Sequence, residues 1–310
     1  MTARRTCVAL IAGAVLSCCV PSGRAQAPAL RVQVDAVTID AYAHQDGRPI
    51  PALTASDFIV RDNGVEQVVT ALATTDGAHV IVALDVSGSL AGEAHTRLRS
   101  ALERILTLLT PADRLSVITF GDRVRVHTVA AEPGTVPTDA VWSSGALGST
   151  TLNDAIVVAA QLGDADVRPA MLLLFTDGTD TASWSTAAEV LETLRRSKVV
   201  VVAVGAGLRD AAPTPADSTF FKAAAWLSAS PGDTLRFMQS LADLSGGEFV
   251  RVERSPALGD VFATVLQRHR QRYLLSFTPA SGSARGWHRL EVRLRTRSGT
   301  VVARQGYMVP

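Results

Sequence analysis

The run His79-Val80-Ile81-Val82-Ala83-Leu84 ends on Asp85-Val86-Ser87-Gly88-Ser89, and this junction restricts the fold more than any other part of the 310 residues. The run is too short for a helix and apolar on both faces, so it predicts a central strand covered by helices on either side. Its end delivers one carboxylate and two hydroxyls together at the edge of a sheet. Oxygen donors of this kind suit Mg²⁺, Mn²⁺ or Ca²⁺ and suit zinc or copper poorly.

Two further pieces fall where a doubly wound sheet would bring them to the same edge. Thr150 lies in Gly148-Ser149-Thr150-Thr151-Leu152-Asn153-Asp154, at the entrance to a predicted helix running to about Leu162. Asp177 follows the apolar run Met171-Leu172-Leu173-Leu174-Phe175-Thr176 and opens the turn Asp177-Gly178-Thr179-Asp180. In open α/β sheets, ligands bind outside the carboxyl ends of the strands, where strand order reverses. Plainer readings stay open residue by residue: Ser87 and Ser89 as helix caps, Thr151 with Asp154 as a capping box, Asp177-Gly178 as an ordinary turn.

Together and in this order, the three motifs resemble the von Willebrand factor type A domain with its metal-ion-dependent adhesion site. The resemblance covers roughly residues 77 to 271, and it points more narrowly to the exported bacterial subgroup with flanking β segments. It implies a doubly wound, mostly parallel α/β sheet of the Rossmann-like kind. It also implies a cation, Mg²⁺ or else Mn²⁺ or Ca²⁺, bound by Ser87, Ser89 and Thr150 and held directly or through water by Asp85 and Asp177. By the same resemblance, a protein partner's Asp or Glu carboxylate would complete the octahedron. Ser149 departs from the family pattern, which usually has a second glycine there. Asp180 reads either as an acceptor behind the ligands or as a solvated loop aspartate.

The remainder of 77–271 alternates strand and helix patterns. Leu98, Leu102, Ile105, Leu106 and Leu109 recur at helical spacing before Thr110-Pro111. Arg114–Phe120 and Val124–Val126 predict a strand pair at the antiparallel edge of the sheet, and Val199–Val204 another buried strand. Leu258, Val261, Phe262, Val265 and Leu266 predict an amphipathic helix. Between Gly207 and Asp233 the pattern breaks, predicting an inserted surface loop with Phe220, Phe221 and Trp226, which read as a partner-binding tip or as anchors onto the domain.

The flanks follow a period of two. Arg289–Arg295 alternates strictly, Thr300–Ala303 follows a Ser298-Gly299 turn, Val32–Val34 alternates, and Asp62-Asn63-Gly64 between two β-rich runs is a strong hairpin signal. Neither flank buries a core alone. Residues 28–76 and 272–310 are therefore expected to pack together as one small antiparallel β domain, interrupted by the α/β domain 77–271.

Arg4 and Arg5, the apolar stretch Cys7–Val20 and the small residues Ala25-Gln26-Ala27 read as a secretory signal peptide over 1–27. Export to a periplasmic or extracellular compartment follows. Three processing outcomes are open: cleavage after Ala25, cleavage after Ala27, or lipidation at Cys18, which would tether the chain to a membrane. Removal of 1–27 takes away three arginines and no acid, turning the net charge from +1 to −2, and with them all three cysteines. A disulfide framework and thiol catalysis are thereby excluded.

Other chemistries find no support. No Walker A loop, Gly-x-Ser-x-Gly elbow or His-Glu-x-x-His helix occurs, and the six histidines show no ligand spacing. The slightly acidic mature charge argues against nucleic acid, so the Arg-rich 289–297 strand reads as a solvated face. The expected function is a non-catalytic binding module. A metal-assisted hydrolase with Asp180 as base, or a scaffold with a degenerate site, are the alternatives.

Overall fold

The computed structural model describes residues 36–74, 77–88, 92–143, 148–206, 231–252, 258–279 and 285–309. The predicted aromatic loop at 207–230, the Val32–Val34 strand and Ser89 lie outside the described residues. The described elements belong to one unit spanning Val34–Pro310. The first flank supplies β1 (Val37–Gln45), β2 (Arg48–Pro49), β3 (Phe58–Asp62), β4 (Val65–Gln67) and β5 (Val69–Ala73). Then follow β6 (His79–Asp85), α1 (Glu93–Leu108), β7 (Arg114–Phe120), β8 (Val124–Ala131), α2 (Thr138–Val141), α3 (Leu152–Ala165), β9 (Ala170–Thr176), α4 (Ala187–Arg196) and β10 (Val200–Ala206). The chain ends with α5 (Pro231–Ser245), β11 (Glu248–Val252), α6 (Leu258–Arg270), β12 (Tyr273–Phe277), β13 (Gly286–Leu294), β14 (Thr300–Ala303) and β15 (Gly306–Val309).

The central sheet has the order β11-β10-β9-β6-β7-β8, parallel except for the edge strand β8. Every residue of β6 and β9 is buried, as two apolar faces require. Successive side chains alternate between two cores. Val80, Val82 and Leu84 meet Leu98, Leu102 and Ile105 of α1 and Phe262 and Leu266 of α6 on one face. Ile81 and Ala83 meet Ile156 of α3, Val190 and Leu194 of α4 and Leu241 of α5 on the other. Truncating Ile81 to alanine would cost about 2–5 kcal/mol, because neither packed layer can close the gap.

The flanking segments build two antiparallel sheets, each mixing strands from both ends of the chain. One has the order β14-β1-β12-β5, with β2 beside β1, and the other β15-β13-β3-β4. Ile39, Ala41, Phe58, Val60, Leu275, Phe277 and Leu290 fill the core between them. Arg272 ties this layer to the α/β layer: its guanidinium pairs with Asp40 and donates to the Gly246 carbonyl at 2.7 Å.

Among the elements not anticipated from the sequence are α2, α4, α5 and β11 in the α/β layer and β1, β12 and β15 in the flanks. Helix α5 begins at Pro231, so the irregular stretch ends earlier than Asp233. Proline is suited to a first helical turn, where its missing N–H costs nothing.

Candidate metal centre

Strands β6 and β9 are neighbours, with Leu84 opposite Phe175, and this is where the sheet reverses its order of winding. The pairing sets Asp85, the last residue of β6, beside Thr176 and Asp177 at the end of β9. Asp85 is 0% exposed. Its Oδ1 accepts the Ser87 amide at 2.9 Å and its Oδ2 accepts the Thr176 hydroxyl at 2.6 Å. Thr176 was not singled out in the sequence, where it looks like the last residue of an apolar run. Its hydroxyl also accepts the Gly178 amide at 3.2 Å, so it shapes the turn that carries Asp177.

The Thr150 loop is drawn to the same place. The Gly88 amide donates to the Gly148 carbonyl at 3.4 Å, joining the loops after β6 and before α3. Gly148 has φ +86, and a Cβ there would stand 3.2 Å from Asp122 Cβ, so both the left-handed backbone and the close approach favour glycine. A Cβ on Gly178 would lie 4.0 Å from the Thr150 hydroxyl oxygen, which places that hydroxyl over the Asp177-Gly178 turn. Thr150 and Ser87 are buried; Asp177 is partly exposed.

Burial pushes the Asp85 carboxyl above its ordinary range, hydrogen bonds from Ser87 and Thr176 pull it back, and the charge of Asp177 pushes it up again. A fully buried carboxylate beside a second one is an arrangement that a cation relieves. Among the described residues no group of three His, Cys, Asp or Glu side chains converges, so the donors on offer are two carboxylates and hydroxyls. That donor set fits a hard divalent ion.

Asp180 works elsewhere. Its Oδ1 accepts the Asn153 amide at 3.1 Å and the Ser183 hydroxyl, which caps the first turn of α3. The capping box read at Thr151 and Asp154 does not form: Thr151 makes no side-chain cap bond, and Asp154 instead accepts the amides of Trp184 and Ser185. The N-terminus of α3 is thus capped from the loop after β9, which ties the two loops together.

Residues 79–230 match the sequence model of the von Willebrand factor type A domain. The chain carries a von Willebrand factor type A domain. Such domains generally mediate protein–protein contacts, are mostly non-enzymatic and often bind a divalent metal. Inter-alpha-trypsin inhibitor heavy chain H4 of Homo sapiens is 32% identical over 121 residues, which cover 35% of this chain and 13% of that protein. The Sus scrofa protein of the same name is 29% identical over 130 residues, with 38% and 14% covered. The match therefore spans only about a seventh of the length of these relatives.

Similar solved structures include von Willebrand factor type A from Catenulispora acidiphila, at TM-score 0.49 and 14% identity over 85% of this chain and 75% of that one. Proximal thread matrix protein 1 from the mussel byssus, described with a zinc-occupied MIDAS motif, aligns at TM-score 0.47 and 15% identity, over 67% of this chain and 49% of that one.

Proposed function

We propose that the chain is an exported, non-catalytic binding module that engages a protein partner through a divalent cation held by Asp85, Ser87, Ser89, Thr150 and Asp177. The observation that carries this reading is the buried Asp85 carboxylate facing the charge of Asp177 where the strand order reverses. The cation, Mg²⁺ or else Mn²⁺ or Ca²⁺, supplies a positive charge able to attract an Asp or Glu carboxylate of the partner. The chain's own residues orient and shield the site. Thr176 and the Ser87 amide fix the two oxygens of Asp85, and the Gly88–Gly148 bond holds Thr150 opposite.

A hydrolytic reading is less well supported. It would need Asp180 as general base, and that carboxylate is engaged in capping α3. We further propose the domain boundaries 28–76, 77–271 and 272–310, with the two flanks forming one β unit, and export through residues 1–27 or tethering at Cys18. Among the described residues no helix is long and apolar enough to cross a membrane.

Calorimetric titration of Mn²⁺ and Mg²⁺ into residues 28–310 tests the function. One-site binding lost in Asp85→Ala and Thr150→Ala is the expected result. Absence of binding in the wild type, with the fold intact, would overturn the metal reading and leave a scaffold. Mass spectrometry of the mature N-terminus tests export, and a retained Met1 would overturn it.

A further inference from the structure

We propose that Trp184 is the apolar anchor of a protein-docking surface beside the candidate metal centre. The partner segment it receives carries an aromatic or branched apolar side chain within a few residues of its acidic one. This rests on the binding reading above and specifies what, besides a carboxylate, the partner must offer.

Trp184 is 96% exposed and is the one aromatic among the exposed large hydrophobic side chains of the described residues. Exposure of a single apolar residue is ordinary by itself. The support beneath this one is not. Thr181 and Ala182 donate their amides to the Thr150 carbonyl at 2.9 and 3.1 Å, and the Thr150 amide donates to the Thr181 hydroxyl at 2.8 Å. The Asp154 carboxylate accepts the amides of Trp184 and Ser185 at 3.0 and 2.9 Å, and the Asp154 amide donates to Ser183 Oγ at 3.1 Å. The Asn153 side-chain amide holds the Ser185 carbonyl at 3.0 Å. The backbone on both sides of Trp184 is therefore fastened to the segment Thr150–Asp154, and none of these bonds uses the indole.

The consequence is a rigid mount. The Trp184 backbone stands at a set place relative to Thr150, so a partner that covers the indole orders little more than two side-chain torsions. Tryptophan on such a mount, flat in water with no enclosing cavity, suits the centre of a macromolecular contact. Trp184 lies two residues from Ala182, whose amide touches the Thr150 carbonyl. Two residues span at most about 7 Å, so both contacts fall within three or four residues of one extended segment. The acids on this edge, Asp85, Asp177 and Asp180, disfavour a polyanionic partner and leave a protein segment as the occupant.

A peptide scan against the full chain tests the proposal. The probes are acetylated seven-residue peptides with Asp at the centre and alanine elsewhere, each alanine in turn replaced by Phe, measured by fluorescence polarisation with Mg²⁺ and with EDTA. Phe at one or two positions is expected to raise affinity about tenfold over the all-alanine parent, and Trp184→Ala to cancel that gain. The variant keeps every backbone bond described, so it folds. A Phe gain that persists in Trp184→Ala, or no gain at any position while the parent binds with Mg²⁺, would sink this inference and leave the metal reading standing. A Trp184-dependent gain that survives EDTA and Thr150→Ala would uphold the docking surface and overturn the metal reading. No binding by any peptide overturns this inference and leaves the metal reading to the calorimetric titration.

Discussion

The hydroxyl of Thr176 donates to Oδ2 of Asp85 at 2.6 Å and ties together the ends of two adjacent central strands. It leaves Asp85 with one oxygen oriented by a side chain and the other by the Ser87 amide. A carboxylate held in this way presents a defined direction to whatever sits beyond the strand ends.

Thr176→Val keeps the shape of this residue and removes the donor. Mn²⁺ affinity measured by calorimetry is expected to fall about tenfold or more, the usual effect of removing a group that orients a ligand. Unchanged affinity would show that Asp85 is oriented without it.

Asp85→Asn separates charge from shape. Burial and Asp177 both oppose ionisation of Asp85, so the neutral variant is expected to be more stable than the wild type without metal. A gain of about 1 kcal/mol corresponds to a rise of about 2–4 °C in Tm for a chain of this class. Wild-type protein in Mg²⁺ at about a hundred times its Kd should gain roughly 2.7 kcal/mol, and the variant none. A lower metal-free Tm in the variant would contradict the electrostatic account.

Acid should weaken the fold through His269. Burial holds this imidazole down to about 4 from an ordinary 6.5, with Arg272 and Arg270 acting the same way against Asp40 and Asp113. The folded state keeps it neutral while the unfolded chain takes up a proton below about 6.5. Its contribution is complete at neutral pH and is lost as pH falls from about 6.5 to about 4, by at most roughly 3 kcal/mol. Urea denaturation at several pH values should give a shallower acid loss in His269→Gln than in the wild type. Parallel pH profiles would exclude the assignment.

Arg272→Met should destabilise by about 3–5 kcal/mol, because it strands the Asp40 carboxylate in a largely buried place and frees the Gly246 carbonyl. Adding Asp40→Asn is expected to recover part of that loss. If the double variant is as unstable as the sum of the two single ones, the pair is not coupled.

Much of the α/β layer was legible from residues alone. Runs such as Val80–Leu84 and Met171–Phe175 have no polar face, so they can only be central strands, α1 and α6 announce themselves by helical spacing, and α3 follows from its entry loop at Thr150. Helix α4 was equally legible in principle, since Thr186 and Glu189 form a capping box and Val190, Leu191 and Leu194 follow at helical spacing. Strand β11 is less legible because it is a short edge strand with no fully buried residue and Arg251 exposed.

For the site, sequence alone determined the donor chemistry and the strand ends that present Asp85 and Asp177, since an apolar run must stop where its polar residues begin. Only the tertiary structure decided that β9 pairs with β6, which makes Thr176 a partner of Asp85. It alone also turned Asp154, read as half of a capping box, and Asp180, read as an acceptor behind the ligands or a solvated aspartate, into the clamp between the loop after β9 and α3. Both facts depend on contacts across 27 to 91 residues of chain. Such pairings carry no local periodicity and arise from the packing of whole strands and loops against one another.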